Sequence, residues 1–400
     1  MFFSPIVWCM ISIISVLGER SRLIEGAIPS VFNFLGKSQM EESSPRRLRL
    51  EKRLCTQMPA VPEVQMEVEV EEDSGEAEQC ELQTEPAALD KEIQCNLSCM
   101  DAYSIENFEL NPKAVSYYTG FNDYNHFMAF YYCLGPSVDE LSYQCSSLSP
   151  KNQLFLTIMK LRQGKEDFEL SLLFKISIAT VSRVITTWIN FMFFQLKELQ
   201  IWPSKEIVQD HMPQNFYEKF PSTRVILDAT ECPIQKPSNV NNQATTWSTY
   251  KHRNTVKAMI GCTPRGAISY ISDAFGGSTS DRQIIERSDL LKPDKHMFEP
   301  GDSIMADRGI MVQDLFASQD VYVNTPTMLK GRSQLDPEEI VRDRRVASKR
   351  IHIERVIGLA KKFKILKREL CQSKVPLASR ILFVCFAITN FRNSIVDKFA

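Results

Sequence analysis

No glycine-rich phosphate loop occurs in the 400 residues, so nucleotide hydrolysis has no support. The 11 cysteines lack the tight paired spacing of a disulfide framework and read as reduced thiols. Cys95 and Cys99 are spaced like metal ligands, but no second Cys or His pair follows to close a zinc site. The apolar opening, MFFSPIVWCMISIISVLGERSR, falls short of the ~20 apolar residues of a spanning helix, and no basic residue precedes it. It reads as an unstructured or misassigned start rather than an export signal, and no membrane partner is expected. No heptad seam is long enough to specify an oligomer.

Neither sign of charge is in excess. The net charge of -2 averages an acidic stretch near residues 63–109 against a basic region around 342–368, which fits a phosphate-binding surface plus a detached acidic segment. Residues 38–100 are rich in Glu, Gln, Ser and Pro and poor in aromatics, too polar to form a core. The composition predicts a disordered acidic region over 1–102 and a folded unit from Tyr103 onward. Within the first region SPRRLRLEKR, residues 44–53, is a short basic cluster that an import receptor can read, which predicts a nuclear protein.

Residues 103–205 read as helical. AVSYYTGFNDYNHFMAFYYCLGP carries a helical apolar pattern on Phe121, Phe127, Phe130 and Tyr131, closed by Gly-Pro. Three helices follow between Ser149 and Trp202. The last two match a helix-turn-helix, buried through Leu170, Phe174, Val181, Val184 and Ile185, with a turn at Ile176. Its second helix offers Ser177, Thr180, Ser182 and Arg183 to DNA, although any small helical bundle gives a similar pattern.

From Thr223 the period becomes strand-like. TRVILDAT, TVKAMIGCT and AISYISDAF are apolar, β-rich runs, followed by helix, strand, helix, strand and a long final helix. That order predicts a ribonuclease-H-like mixed α/β sheet over 222–370, preceded by the small all-α unit and followed by a C-terminal helix in 371–400. Asp228 and Asp307 each end an apolar strand, where a carboxylate is costly unless paired or metal-bound. Glu354 is the one acid in the basic stretch RIHIERVIGLAKKFKIL. Three acids suit two divalent cations ~4 Å apart, of the kind that cleave phosphodiesters. Lys251, Lys257, Arg350, Arg355 and Lys361 are the basic residues set for DNA phosphates. Glu231 and Asp281 compete as acids; Asp281 is a helix cap or an auxiliary metal residue. His252 and His352 flank the site as metal ligands or ordinary polar side chains.

ILDATECPIQKPS, TYKHRNTVKAMIG, GGSTSDRQI, IMADRGI and KRIHIERVIGLAKKFKIL together resemble the DDE superfamily endonuclease domain of Harbinger-type (PIF-like) transposases. YYTGF, LSPKNQLFLTIMKLRQG and TVSRVITTWI resemble the helix-turn-helix of its THAP-associated branch. The resemblance implies Asp228, Asp307 and Glu354 as the catalytic triad, Asp281 as an extra aspartate, Mg2+ or Mn2+ as cofactor, and double-stranded DNA as partner. Synapsis of two DNA ends implies at least a dimer. The zinc-binding THAP module is not recognisable, and Ile310 stands where an aromatic often follows. A domesticated, non-catalytic DNA-binding protein is the alternative.

Overall fold

The computed structural model describes residues 103–329 and 331–392. The expectations for the acidic segment, the basic cluster at 44–53 and Cys95/Cys99 lie outside them. The helical part opens with α1 (Pro112–Thr119), α2 (Tyr124–Cys133), α3 (Pro150–Gln163), α4 (Asp167–Phe174) and α5 (Ile178–Glu198). Where sequence periodicity suggested one aromatic helix, there are two. Gly120 closes α1 in the left-handed region (φ 84°), and Asp123 caps α2 by accepting the His126 N–H. Ser177 caps α5 through the Thr180 N–H, and Val181, Val184, Ile185, Trp188, Ile189 and Met192 form the buried stripe that 3.6-residue periodicity requires.

The sheet comprises β1 (Thr223–Pro233), β2 (Trp247–Ser248), β3 (Arg253–Cys262), β4 (Ile268–Ile271), β5 (Phe275–Gly276), β6 (Ser303–Ala306) and β7 (Tyr322–Asn324). Its main path runs β2-β3-β1-β6-β7, with β4 and β5 also on β3. β3 is antiparallel to β1, β4 and β5, while β6 is parallel to both β1 and β7. This is the mixed sheet anticipated from the element order. The chain continues with α6 (Asp281–Glu286) before β6, then α7 (Pro337–Ala360) and α8 (Ala378–Thr389) after β7.

Strand alternation divides the sheet's residues between two cores. Val225, Leu227, Met259, Ile304 and Ala306 face one side, against Ile284 and Ile285 of α6 and Phe316. Ile226, Ala258, Ile260 and Met305 face the other, against Ile353, Val356 and Ile357 of α7 and the buried face of α8. That second core runs without a break into the helical part, through Trp188, Phe155 and Phe127. The boundary expected near residue 205 is therefore not a break in packing. The long helix α7 also stops at Ala360, so Phe363 lies beyond it, followed by a 3-10 turn at Lys364–Leu366.

Candidate active site

Asp228 and Asp307 are the residues that follow the parallel pair Leu227↔Ala306 of β1 and β6. Adjacent strands lie about 4.8 Å apart, and successive side chains alternate between faces. Both aspartates thus share the parity of Ile226 and Met305 and project toward the side on which α7 packs. On α7, Arg350 and Glu354 are one turn apart and occupy the same stripe. Arg350 Nη1 lies 2.8 Å from Asp307 Oδ1.

Asp228 is half-buried, and the desolvation of its carboxylate is only partly offset by the Arg350 guanidinium and by the Ala229 N–H, which donates to it at 3.0 Å. Burial pushes its carboxyl up from 3.8 to about 6; Asp307 and Glu354 raise it further, while Arg350 and the Ala229 N–H oppose. The three acids therefore share one electrostatic environment. Among the described residues, however, no three His, Cys, Asp or Glu side chains stand close enough to hold a metal ion. Asp307 is neutralised by a guanidinium, and Glu354 is exposed. The donor set still fits a hard divalent cation: three carboxylates, one of them under-compensated, from two strands and a helix.

Asp281 belongs elsewhere. It opens α6, whose cap is Ser280 in a capping box with Gln283, and its carboxylate is 2.8 Å from Lys257 Nζ. Lys257 also lies 3.9 Å from Glu231, its cross-strand partner, and Glu231 accepts from Thr255 Oγ1 at 2.9 Å. Glu231 and Lys257 have the parity of Leu227 and Met259, so this cluster sits on the opposite sheet face from Asp228 and Asp307. That geometry places Asp281, expected as an auxiliary metal residue, in an ion pair with Lys257, and sets Lys257, expected as a phosphate contact, between two carboxylates. His352 is buried, with Nδ1 2.8 Å from the Pro264 carbonyl and its ring beside Phe216, so it is a core histidine. His252 is exposed with φ 51°.

The expected DNA-facing residues divide. Arg183, Lys251 and Arg355 are exposed; Arg183 lies over Tyr143 and Lys251 over Tyr250. Ser177 is exposed but its hydroxyl serves the helix cap, and Thr180 Oγ1 is 2.9 Å from it. Ser182 turns inward, where Lys374 donates to its Oγ at 3.1 Å. Arg350 is committed to Asp307. Lys361 caps α7, and burial lowers its pKa, with Asp228 among the acids that oppose this shift. Beside Asp307 an open cleft of ≈ 590 Å³ is lined by Arg308, Pro326, Ile340, Arg344 and Arg350. Arg308 and Arg344 are exposed cations that sequence reasoning passed over.

Residues 227–390 match the family model described as DDE superfamily endonuclease. The chain is similar to DDE superfamily endonucleases. Residues 146–198, which hold α3, α4 and α5, match the helix-turn-helix of the same superfamily. The endonuclease match starts one residue before Asp228 and takes in Asp307, Glu354 and all of α8. No curated protein and no solved structure matches the chain.

Proposed function

We propose that the chain is a transposase-type, divalent-metal-dependent DNA endonuclease and strand transferase of the Harbinger (PIF-like) kind, in its THAP-associated branch, on a ribonuclease-H-like fold. The observation that carries this reading is the β1/β6 register, which sets Asp228 beside Asp307 on the face where Glu354 of α7 contributes to the same field. Asp228, Asp307 and Glu354 would hold Mg2+ or Mn2+. Bound there, such ions activate water and stabilise the leaving oxygen of a phosphodiester.

The chain's own residues do the rest. Arg308 and Arg344 line the cleft beside Asp307 with positive charge suited to a DNA strand's phosphates. Arg355 and Lys251 are further exposed cations open to phosphates, and Arg183 brings the helix-turn-helix to the duplex. Double-stranded DNA is the partner, a homo-oligomer the working form and the nucleus the location. Among the described residues no helix is long and apolar enough to cross a membrane.

A second reading, a domesticated DNA-binding protein without catalysis, draws on two observations: Arg350 neutralises Asp307, and among the described residues no three acids stand at metal-holding distance. Incubation of labelled duplex DNA with the full chain and Mg2+ or Mn2+ separates the two. Nicking that depends on the cation and vanishes in Asp228→Asn supports the nuclease. Binding without nicking supports the domesticated form.

A further inference from the structure

Two arginines, one from the helical part and one from the C-terminal end of the described residues, meet on one aromatic ring. Arg162, in the last turn of α3, and Arg392, just after α8, place their guanidinium carbons 5.7 Å and 5.6 Å from the Phe363 ring centroid. Both approach Gly120. A Cβ there would lie 3.3 Å from Arg162 Nε and nearer still to Arg392 Nη2, so the missing side chain is the space that both guanidiniums use.

Neither arginine has a carboxylate partner among the described residues. Arg162 Nη1 and Arg392 Nη2 are buried N–H groups with no hydrogen-bond acceptor. A buried donor left unmade keeps its full desolvation penalty, and here two adjoin on like charges. Burial lowers the pKa of both, and Arg162 lowers that of Arg392 further. The surroundings add cations rather than anions. Lys364 Nζ donates to Gln163 Oε1 and Arg368 Nη1 to the Gly164 carbonyl, each at 2.8 Å.

We propose that Arg162 and Arg392 form a binding site for a phosphate-type oxyanion, clamped between their guanidiniums and backed by Phe363. The planar forks suit a phosphate's oxygens, and the orphaned N–H groups are the donors such an anion satisfies. An anion held there ties α3, next to the helix-turn-helix, to the end of α8. The phosphate can be a free ion or belong to a DNA backbone; only the second source rests on the nuclease reading.

The test follows the thermal unfolding of the full chain with inorganic phosphate against chloride at matched ionic strength. A free-ion site predicts a phosphate-specific rise of about 3 °C near ten times the dissociation constant, lost in the R162Q/R392Q double variant and reduced in R162K/R392K. A backbone site predicts no such rise, but a shallower salt dependence of duplex binding in R162Q/R392Q, its log-log slope falling by about one for each phosphate left unneutralised. Should R162Q/R392Q not fold, R162K/R392K, which keeps both charges but not the forks, takes its place in the thermal arm, and the single variants R162Q and R392Q take its place in the salt arm. The proposal is overturned if phosphate shifts wild type and variant equally, or if neither the thermal response nor the salt slope distinguishes them. A site needed for cleavage alone would leave the inorganic phosphate arm untouched, so failure here and failure of the nuclease reading are told apart.

Discussion

Arg350 and Asp307 form an ion pair of 2.8 Å between α7 and the end of β6, and the same guanidinium opposes the rise in the pKa of Asp228. One cation thus stabilises two acids that a parallel register sets side by side.

Replacing Arg350 by Gln should lower stability in metal-free buffer at pH 7. Asp307 is half-exposed, so solvent screens the pair and the loss should be modest, about 0.5–1 kcal/mol. Urea denaturation monitored by fluorescence checks it. A variant as stable as wild type would show that the pair contributes nothing.

The carboxyl of Asp228 is raised to about 6 from 3.8. Below pH ~4 the group is neutral in both folded and unfolded states, and no penalty applies. Between these values the unfolded chain ionises first, so stability falls as pH rises, and the full cost of roughly 2–3 kcal/mol stands above pH 6. Asp228→Asn should therefore be more stable than wild type at pH 7 without metal, and equal to it near pH 4. Denaturation curves at the two pH values decide this; an equal gain at both would assign the effect to packing.

How far the sequence reached can be judged from particular elements. β1, β3 and β6 were legible because their apolar, β-rich runs leave little alternative, although β1 continues past Asp228 to Pro233 where the run was expected to end, and α5 because its stripe and Ser177 cap are local signals. The pairing of Lys257 with Asp281 was not, because it joins β3 to α6 with β4 and β5 between them in the chain, and strand parity, rather than proximity in sequence, puts them on the far face of the sheet. Periodicity shows that a helix face is buried but not against what. The core shared between α5 and α8, and the inward turn of Ser182, were hidden for that reason. β2 and β5, two residues each, carry no period at all.

At the helix-turn-helix, Arg183→Glu should weaken duplex binding and lower the salt slope by about one, since an exposed cation is replaced by an acid facing phosphates. Ser182→Ala should leave affinity unchanged, because the hydroxyl serves Lys374. Fluorescence anisotropy at several salt concentrations measures both. A loss of affinity in Ser182→Ala would return that residue to the DNA surface.

Because one core spans the helical part and the sheet, a chain starting at residue 103 should unfold in a single transition. Trp188→Ala, which empties a fully buried site in that core, should cost about 3–5 kcal/mol and shift the whole transition. Two separate transitions in calorimetry would instead restore an independent helical domain.

The central claim is that Asp228, Asp307 and Glu354 together hold a divalent cation. Electron paramagnetic resonance of Mn2+ titrated into the full chain tests it most directly, because bound and free ions are read separately and no DNA is needed. The account predicts saturable Mn2+ binding in wild type that falls at least tenfold in affinity in each of Asp228→Asn, Asp307→Asn and Glu354→Gln. Binding that is absent in wild type, or that survives all three substitutions, would contradict it.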